Sequence, residues 1–249
     1  MANNGKEKEK VIELKNVSKR YGDFTAVRDV TFSISKGEIV GMVGHNGAGK
    51  TTILRMITGY LEPSEGEVRV GGYNIVEERL LAQRKLGYLP ENCPLYSEMT
   101  VIEYLQYMGR LRGVAEEELD KKIKTAIDKT SLWEKAKAYI STLSRGYKQR
   151  VGVAQAIMHN PEIVILDEPT NGLDPSQIRE MRGLIKELSN NATVLVSTHI
   201  LPEVEAVCER VIMVLAGGIA LDKPISEFED KSLETVFREI TESAIKEAG

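Results

Sequence analysis

The run IVGMV (39–43) leads into GHNGAGKTT (44–52) and then into ILRMITGY (53–60). Glycine costs roughly 0.5–1 kcal/mol in an ordered element relative to alanine, so three glycines within six positions need a structural purpose. An apolar run of strand length, a glycine loop and a helically spaced segment together form strand–loop–helix. The loop fits Gly-x-x-x-x-Gly-Lys-Thr through Gly44, Gly49, Lys50 and Thr51, and its flanks are those a phosphate-binding loop requires. Successive backbone N–H groups and a helix N-terminus present partial positive charge to phosphate oxygens. Lys50 adds a full charge for the outer phosphates, and Thr51 offers a hydroxyl to Mg²⁺. Asn46, Gly47, Ala48 and Thr52 belong to the same cradle. His45 occupies a variable loop position and is assigned no catalytic role.

The remaining elements are read from periodicity and punctuation. VIELKNV (11–17) and FTAVRDVTFSI (24–34) read as strands, KGE (36–38) and EPSEG (62–66) as turns, and EVRV (67–70) and LGYLP (86–90) as strands. Gly59 is a candidate C-cap for the helix after the loop. Residues 100–137 are charged and helix-forming, which predicts an inserted helical subdomain of about residues 93–160. EIVILD (162–167), a helix from Pro175, TVLVS (193–197), a helix from Leu201 and VIMVL (211–215) then alternate. Such alternation predicts an α/β fold with a mainly parallel sheet.

EIVILDEPT (162–170) supplies a second constraint. The strand delivers Asp167 and Glu168 at its C-terminal edge, where ligands sit in open α/β sheets. Asp167 is positioned to hold the water shell of magnesium, and Glu168 to polarise an attacking water. With a phosphate loop elsewhere in the chain, the pair points to a nucleoside triphosphatase.

STLSRGYKQRVGVAQAI (141–157) narrows the class. By itself the stretch is an amphipathic helix with Ser144 as its N-cap and Gly146 allowing a close approach. Standing just ahead of the acidic strand, it resembles the signature motif of the ATP-binding cassette (ABC) ATPases, and the resemblance covers residues 11–222. It implies a phosphate-loop ATPase fold with a mainly parallel core sheet, an N-terminal antiparallel β subdomain and the inserted helical subdomain. It also implies that Tyr21 stacks on adenine, that His199 in STH (197–199) orients the γ-phosphate, and that Glu168 is the general base. Two cassettes would stack head to tail, so Ser144, Arg145 and Gly146 meet ATP held by the partner's loop. Asp174, in NGLDP (171–175), would link the two sites. ATP thus joins the halves and hydrolysis releases them.

Two departures from the family pattern stand out. LSRGY (143–147) replaces the commonest LSGGQ, with Arg145 adding charge and Tyr147 removing an amide. Glu91 stands where the family usually has glutamine; a carboxylate can approach magnesium but donates no hydrogen bond.

Composition excludes other classes. A net charge of −4 and a pI near 5.6 argue against a nucleic-acid protein that relies on a broad basic surface. Cys93 and Cys208 stand alone, without a metal or disulfide pattern. MANNGKEKEK lacks the apolar core of a signal peptide and reads as a mobile charged tail to about residue 10. VIMVLAGGIAL (211–221) is too short to span a bilayer. The resemblance therefore implies the cytoplasmic ATPase subunit of a transporter of the bacterial exporter type, held on the inner face of the membrane by a separate permease and paired with a second cassette, in a homodimer. A cassette ATPase of a non-transport assembly, such as an iron–sulfur assembly factor, is the alternative. SLETVFREIT, within the 223–249 extension, reads as an amphipathic helix packed on the core or a partner.

Overall fold

The computed structural model describes residues 9–228 and 231–248; most of the N-terminal charged tail lies outside them. Two sheets carry the fold. β1 (Lys10–Tyr21), β2 (Phe24–Ser35), β4 (Glu65–Val70) and β5 (Tyr73–Asn74) form an antiparallel sheet in the order β2-β1-β4-β5. β3 (Ile39–Val43), β6 (Leu86–Leu89), β7 (Ile163–Asp167), β8 (Thr193–Thr198), β9 (Arg210–Leu215) and β10 (Gly218–Pro224) form the second, in the order β10-β9-β3-β8-β7-β6. β9, β3, β8, β7 and β6 run parallel, and β10 returns antiparallel against β9. The helices are α1 (Lys50–Ile57), α2 (Arg79–Lys85), α3 (Val101–Leu111), α4 (Glu116–Lys129), α5 (Arg145–Ile157), α6 (Pro175–Ser189), α7 (Leu201–Val207) and α8 (Leu233–Ala248).

The parallel strands are buried along nearly their whole length, and mostly apolar, because both faces of the parallel sheet are covered. Alternation persists beneath that uniformity. Val40 and Met42 face the antiparallel sheet and α1, whereas Ile39 and Val43 face the helices on the opposite side. Ile163 and Ile165 follow the first pair, Val164 and Leu166 the second. Each such side chain, fully buried, contributes roughly 1.5–3 kcal/mol.

Two sequence readings change. α5 is amphipathic only in its first half, since every residue from Val151 to Ile157 is buried between the sheet and the helical layer. Ser144 occupies its N-cap position, but the hydroxyl makes no capping hydrogen bond. VIMVL lies within β9 as predicted, and Ala216 and Gly217, both left-handed, turn the chain back into β10. Elsewhere each predicted strand has an observed counterpart, with β6 ending at Leu89 and β7 beginning at Ile163, each one residue short of LGYLP and EIVILD, and Gly59 takes the left-handed conformation (φ +73°) just past α1. Among the described residues no helix is long and apolar enough to cross a membrane.

Candidate functional site

The adjacent parallel strands β3, β8 and β7 bring three chain segments to one edge of the sheet. The glycine loop follows β3, Asp167 and Glu168 end β7, and His199 follows β8. Close packing dictates two of the loop glycines. A Cβ at Gly44 would lie 2.4 Å from the Val214 carbonyl oxygen. Gly49, with φ +109°, sits under the Ala26 carbonyl and opens α1 without a side-chain cap or an acidic residue in the first turn. The helix N-terminus is thereby left free for an anion.

Lys50 is 6% exposed. Its Nζ donates to the Gly44 carbonyl at 2.6 Å and to that of His45 at 3.3 Å, and lies 3.8 Å from Glu168 Oε1. Burial lowers its pKa, while Glu168, Asp167 and Glu91 pull the other way. Glu168, 6% exposed, has φ +50°, a conformation rare for a side chain of its kind. Its N–H donates to the Ser197 carbonyl at 2.8 Å, which fixes the turn at the strand end. Its Oε2 lies 2.9 Å from His199 Nδ1, so the carboxylate bridges the lysine and the imidazole.

Asp167 lies deeper, 1% exposed, and accepts from the Thr51 hydroxyl at 3.3 Å. Burial raises its pKa, with the charges of Glu168 and Glu91 acting in the same direction. Asp167 Oδ1 and the Oγ of its register partner Ser197 are buried without hydrogen-bond partners. These are hard oxygen donors, and two of them lack a partner, so the residues fit a magnesium ion. Among the described residues there is no cluster of three or more His, Cys, Asp or Glu to enclose a metal. Magnesium does not need one, because it binds through one or two protein oxygens with phosphates and water.

Above these groups opens a pocket of about 470 Å³. Tyr21, Asn46, Gly47, Gly49, Lys50, Thr51 and Thr52 line it from one side, and Glu91, Glu168 and His199 from the other. Gly44, Ala48 and Asp167 are buried and do not line it. Ser144, Arg145, Gly146 and Asp174 do not line it. Arg145 instead packs its guanidinium on Gly172, and Gly146 lies against the Gln177 side chain. Asp174 caps α6, accepting from the N–H groups of Ser176 and Gln177 at 2.9 Å each. Phe24, Ala26 and Asn171 also line the pocket, and Asn171 Nδ2 donates to Glu91 Oε1 at 3.4 Å. Sequence reasoning did not single these out. An exposed aromatic three residues after Tyr21, across a Gly-Asp turn, was the available signal for Phe24. His45, outside the predicted set, also lines the pocket; its ring meets Phe237 of α8 edge-on at 4.8 Å.

A sequence model of the family described as "ABC transporter" matches residues 27–171. The ABC transporter ATP-binding protein NatA of Bacillus subtilis is 39% identical over 84% of this chain and 87% of its own. The bacitracin transport ATP-binding protein BcrA of Enterococcus faecalis is 38% identical over 90% of this chain and 72% of its own. Among solved structures, the dimeric cassette MJ0796 superposes with a TM-score of 0.78 at 29% identity, over 86% of this chain and 98% of that one.

Proposed function

Because this chain belongs to the ABC transporter family, whose cassettes bind and hydrolyse ATP to drive transport, we propose that it powers an exporter by closing on ATP as one of two identical cassettes. It is an ATP-binding transporter subunit and an ATPase. The observation that carries the mechanism is the line of Lys50, Glu168 and His199 above the Thr51–Asp167 pair. In this reading Lys50 leaves its loop carbonyls for the outer phosphates of ATP, and the loop N–H groups and the N-terminus of α1 hold the remaining phosphate charge. Tyr21 offers its half-exposed ring to the adenine. Thr51 and Asp167, with Glu91 at the rim, would hold Mg²⁺, which when bound neutralises phosphate charge. Glu168 Oε2 takes the proton from the attacking water, and His199, fixed by that same carboxylate, orients the γ-phosphate.

Residues 11–222 form the cassette, with residues 93–160 as its helical subdomain and 223–249 as an extension. Ser144, Arg145 and Gly146 lie outside the chain's own pocket, which supports their serving ATP bound by the partner, with Asp174 linking the two sites. A separate permease would hold the pair on the inner face of the membrane. Export is favoured by the likeness to BcrA, named for bacitracin transport.

Glu168→Gln tests the assignment. It should keep ATP binding, lower hydrolysis by on the order of 10²–10⁴-fold, and yield an ATP-dependent dimer on gel filtration. Undiminished hydrolysis would remove Glu168 from the base role.

A further inference from the structure

Glu203, 4% exposed, is a buried acid to which the ATPase chemistry above gives no part. It stands in the first turn of α7, where a glutamate commonly folds back on its own helix and accepts from the N-cap N–H. Here that N–H, of Ile200, donates instead to the Thr198 hydroxyl at 3.1 Å. The Glu203 carboxylate goes elsewhere: its Oε2 accepts from the hydroxyl of Thr170, which is also buried. Thr170 lies in the loop that follows β7. Burial raises the Glu203 pKa and the Glu168 charge adds to this, while the Thr170 hydroxyl, Arg182 of α6 and His199 oppose it. A carboxylate is costly to keep out of water, and an apolar side chain would fill the same space without that cost. Packing therefore does not account for the residue, and its bond to Thr170 does.

That bond joins two loops that meet a second time in the nucleotide site. Glu168 and His199, one on each loop, are bonded to each other at 2.9 Å. Thr170 stands two residues after Glu168 and Glu203 four after His199, so the two hydrogen bonds close a small ring. Backbone bonds stiffen it: the Glu203 N–H donates to the Ile200 carbonyl at 3.1 Å, and the Asn171 N–H to the Glu168 carbonyl at 3.1 Å. The two ends of the ring differ. The His199 side chain is 43% exposed at the pocket, whereas the Thr170–Glu203 end is sealed from water, where a hydrogen bond is electrostatically stronger. Glu168 also keeps a left-handed backbone, which persists only when its surroundings hold it. We propose that Glu203 is a positioning residue for ATP hydrolysis: through Thr170 it fixes the loop of Glu168 against the loop of His199, so that carboxylate and imidazole stay aligned when water and γ-phosphate come between them. The inference rests on the base and orienting roles given to those two residues.

Steady-state ATPase kinetics and unfolding temperature of the full-length chain test it. The double variant Glu203→Leu/Thr170→Val removes both polar partners together, which leaves neither one buried and unpaired. It should keep its unfolding temperature, hold KM for ATP within about twofold and lose on the order of tenfold in kcat. Glu203→Gln retains an oxygen acceptor for the Thr170 hydroxyl and should keep kcat within about threefold of wild type. Wild-type kcat in the double variant overturns the proposal. So does a loss in Glu203→Gln as deep as in the double variant, because the charge and not the bond would then matter. A raised KM with unchanged kcat would assign the pair to nucleotide binding and overturn it too. Should the double variant fail to fold, Glu203→Gln with and without Thr170→Val decides: the first should lose kcat and the second keep it, and equal kcat in both overturns the proposal. Glu168→Gln, run alongside, separates the two levels. If it hydrolyses ATP undiminished, the base role falls and the positioning role with it, whereas a crippled Glu168→Gln beside a fully active double variant overturns the positioning role alone.

Discussion

His159 shows how one half-buried ring records the cost of packing a titratable group without a charge partner. Its Nε2 lies 3.1 Å from the Leu86 carbonyl and its Nδ1 has no partner. Burial, reinforced by the nearby Arg112 charge, holds the imidazolium pKa at about 4, against 6.5 for an ordinary histidine. Between those two values the unfolded chain binds a proton that the folded chain refuses. Stability from this group is therefore complete above pH 6.5, falls as the pH drops toward 4 and stays lost below that, a change of about 3 kcal/mol in full. Urea unfolding of wild type and His159→Gln at pH 7 and pH 4.5 checks it. The variant should lose less stability on acidification, and equal losses would refute the assignment. Nothing in the sequence marks His159, because its burial arises where α5 ends against β6, residues far apart in the chain.

At the scale of elements, α6 depends on a cap that also carries the proposed link between subunits. Asp174 and Gln177 form a capping box, with the Asp174 N–H donating to Gln177 Oε1 at 3.4 Å. Asp174→Ala should cost about 1 kcal/mol of stability, whereas Asp174→Asn should cost far less. Thermal unfolding measures both. If Asp174→Asn keeps its stability but loses the concentration dependence of ATPase activity, the charge serves the partner and not the helix. Gly87 makes a comparable test of β6. A Cβ there would lie 2.0 Å from the Ala156 carbonyl oxygen, so Gly87→Ala must push β6 and α5 apart. The expected loss is about 1–3 kcal/mol in chemical unfolding.

Long apolar strands and capped helices were legible in the sequence because one periodicity or one side chain defines each. IVGMV and TVLVS could scarcely be anything but buried strands, and Pro175 after Asp174 announces a helix start. α2, β5 and β10 were not legible. Only Ala82 of α2 is buried and its Glu78 N-cap makes no side-chain hydrogen bond, so neither period nor cap stands out. β10 is an edge strand containing Gly218 and Pro224 with no fully buried residue, and it exists because β9 is there to pair with. The site was read in the same uneven way. Lys50, Asp167, Glu168 and His199 each follow a strong strand, whereas Phe24 and Asn171 reach the pocket only through the folding of other segments.

In the proposed reading, the whole molecule presents one arm of a two-sided site. If Ser144 and Gly146 complete a partner's pocket, specific ATPase activity must rise with protein concentration before it levels off. A flat profile from nanomolar to micromolar protein would mean that a single chain suffices. The strand order has a further consequence, which concerns how the protein is made. β3, which carries the phosphate loop, has no sheet partner nearer in sequence than β8 and β9. A chain emerging from the ribosome must therefore extrude more than 150 residues beyond Val43, at about 5–20 residues per second, while IVGMV waits unpaired. For those seconds the most apolar strand of the fold is an open invitation to aggregation. A chaperone that binds short apolar segments should engage nascent chains after β3 emerges and release them once β8 and β9 have followed.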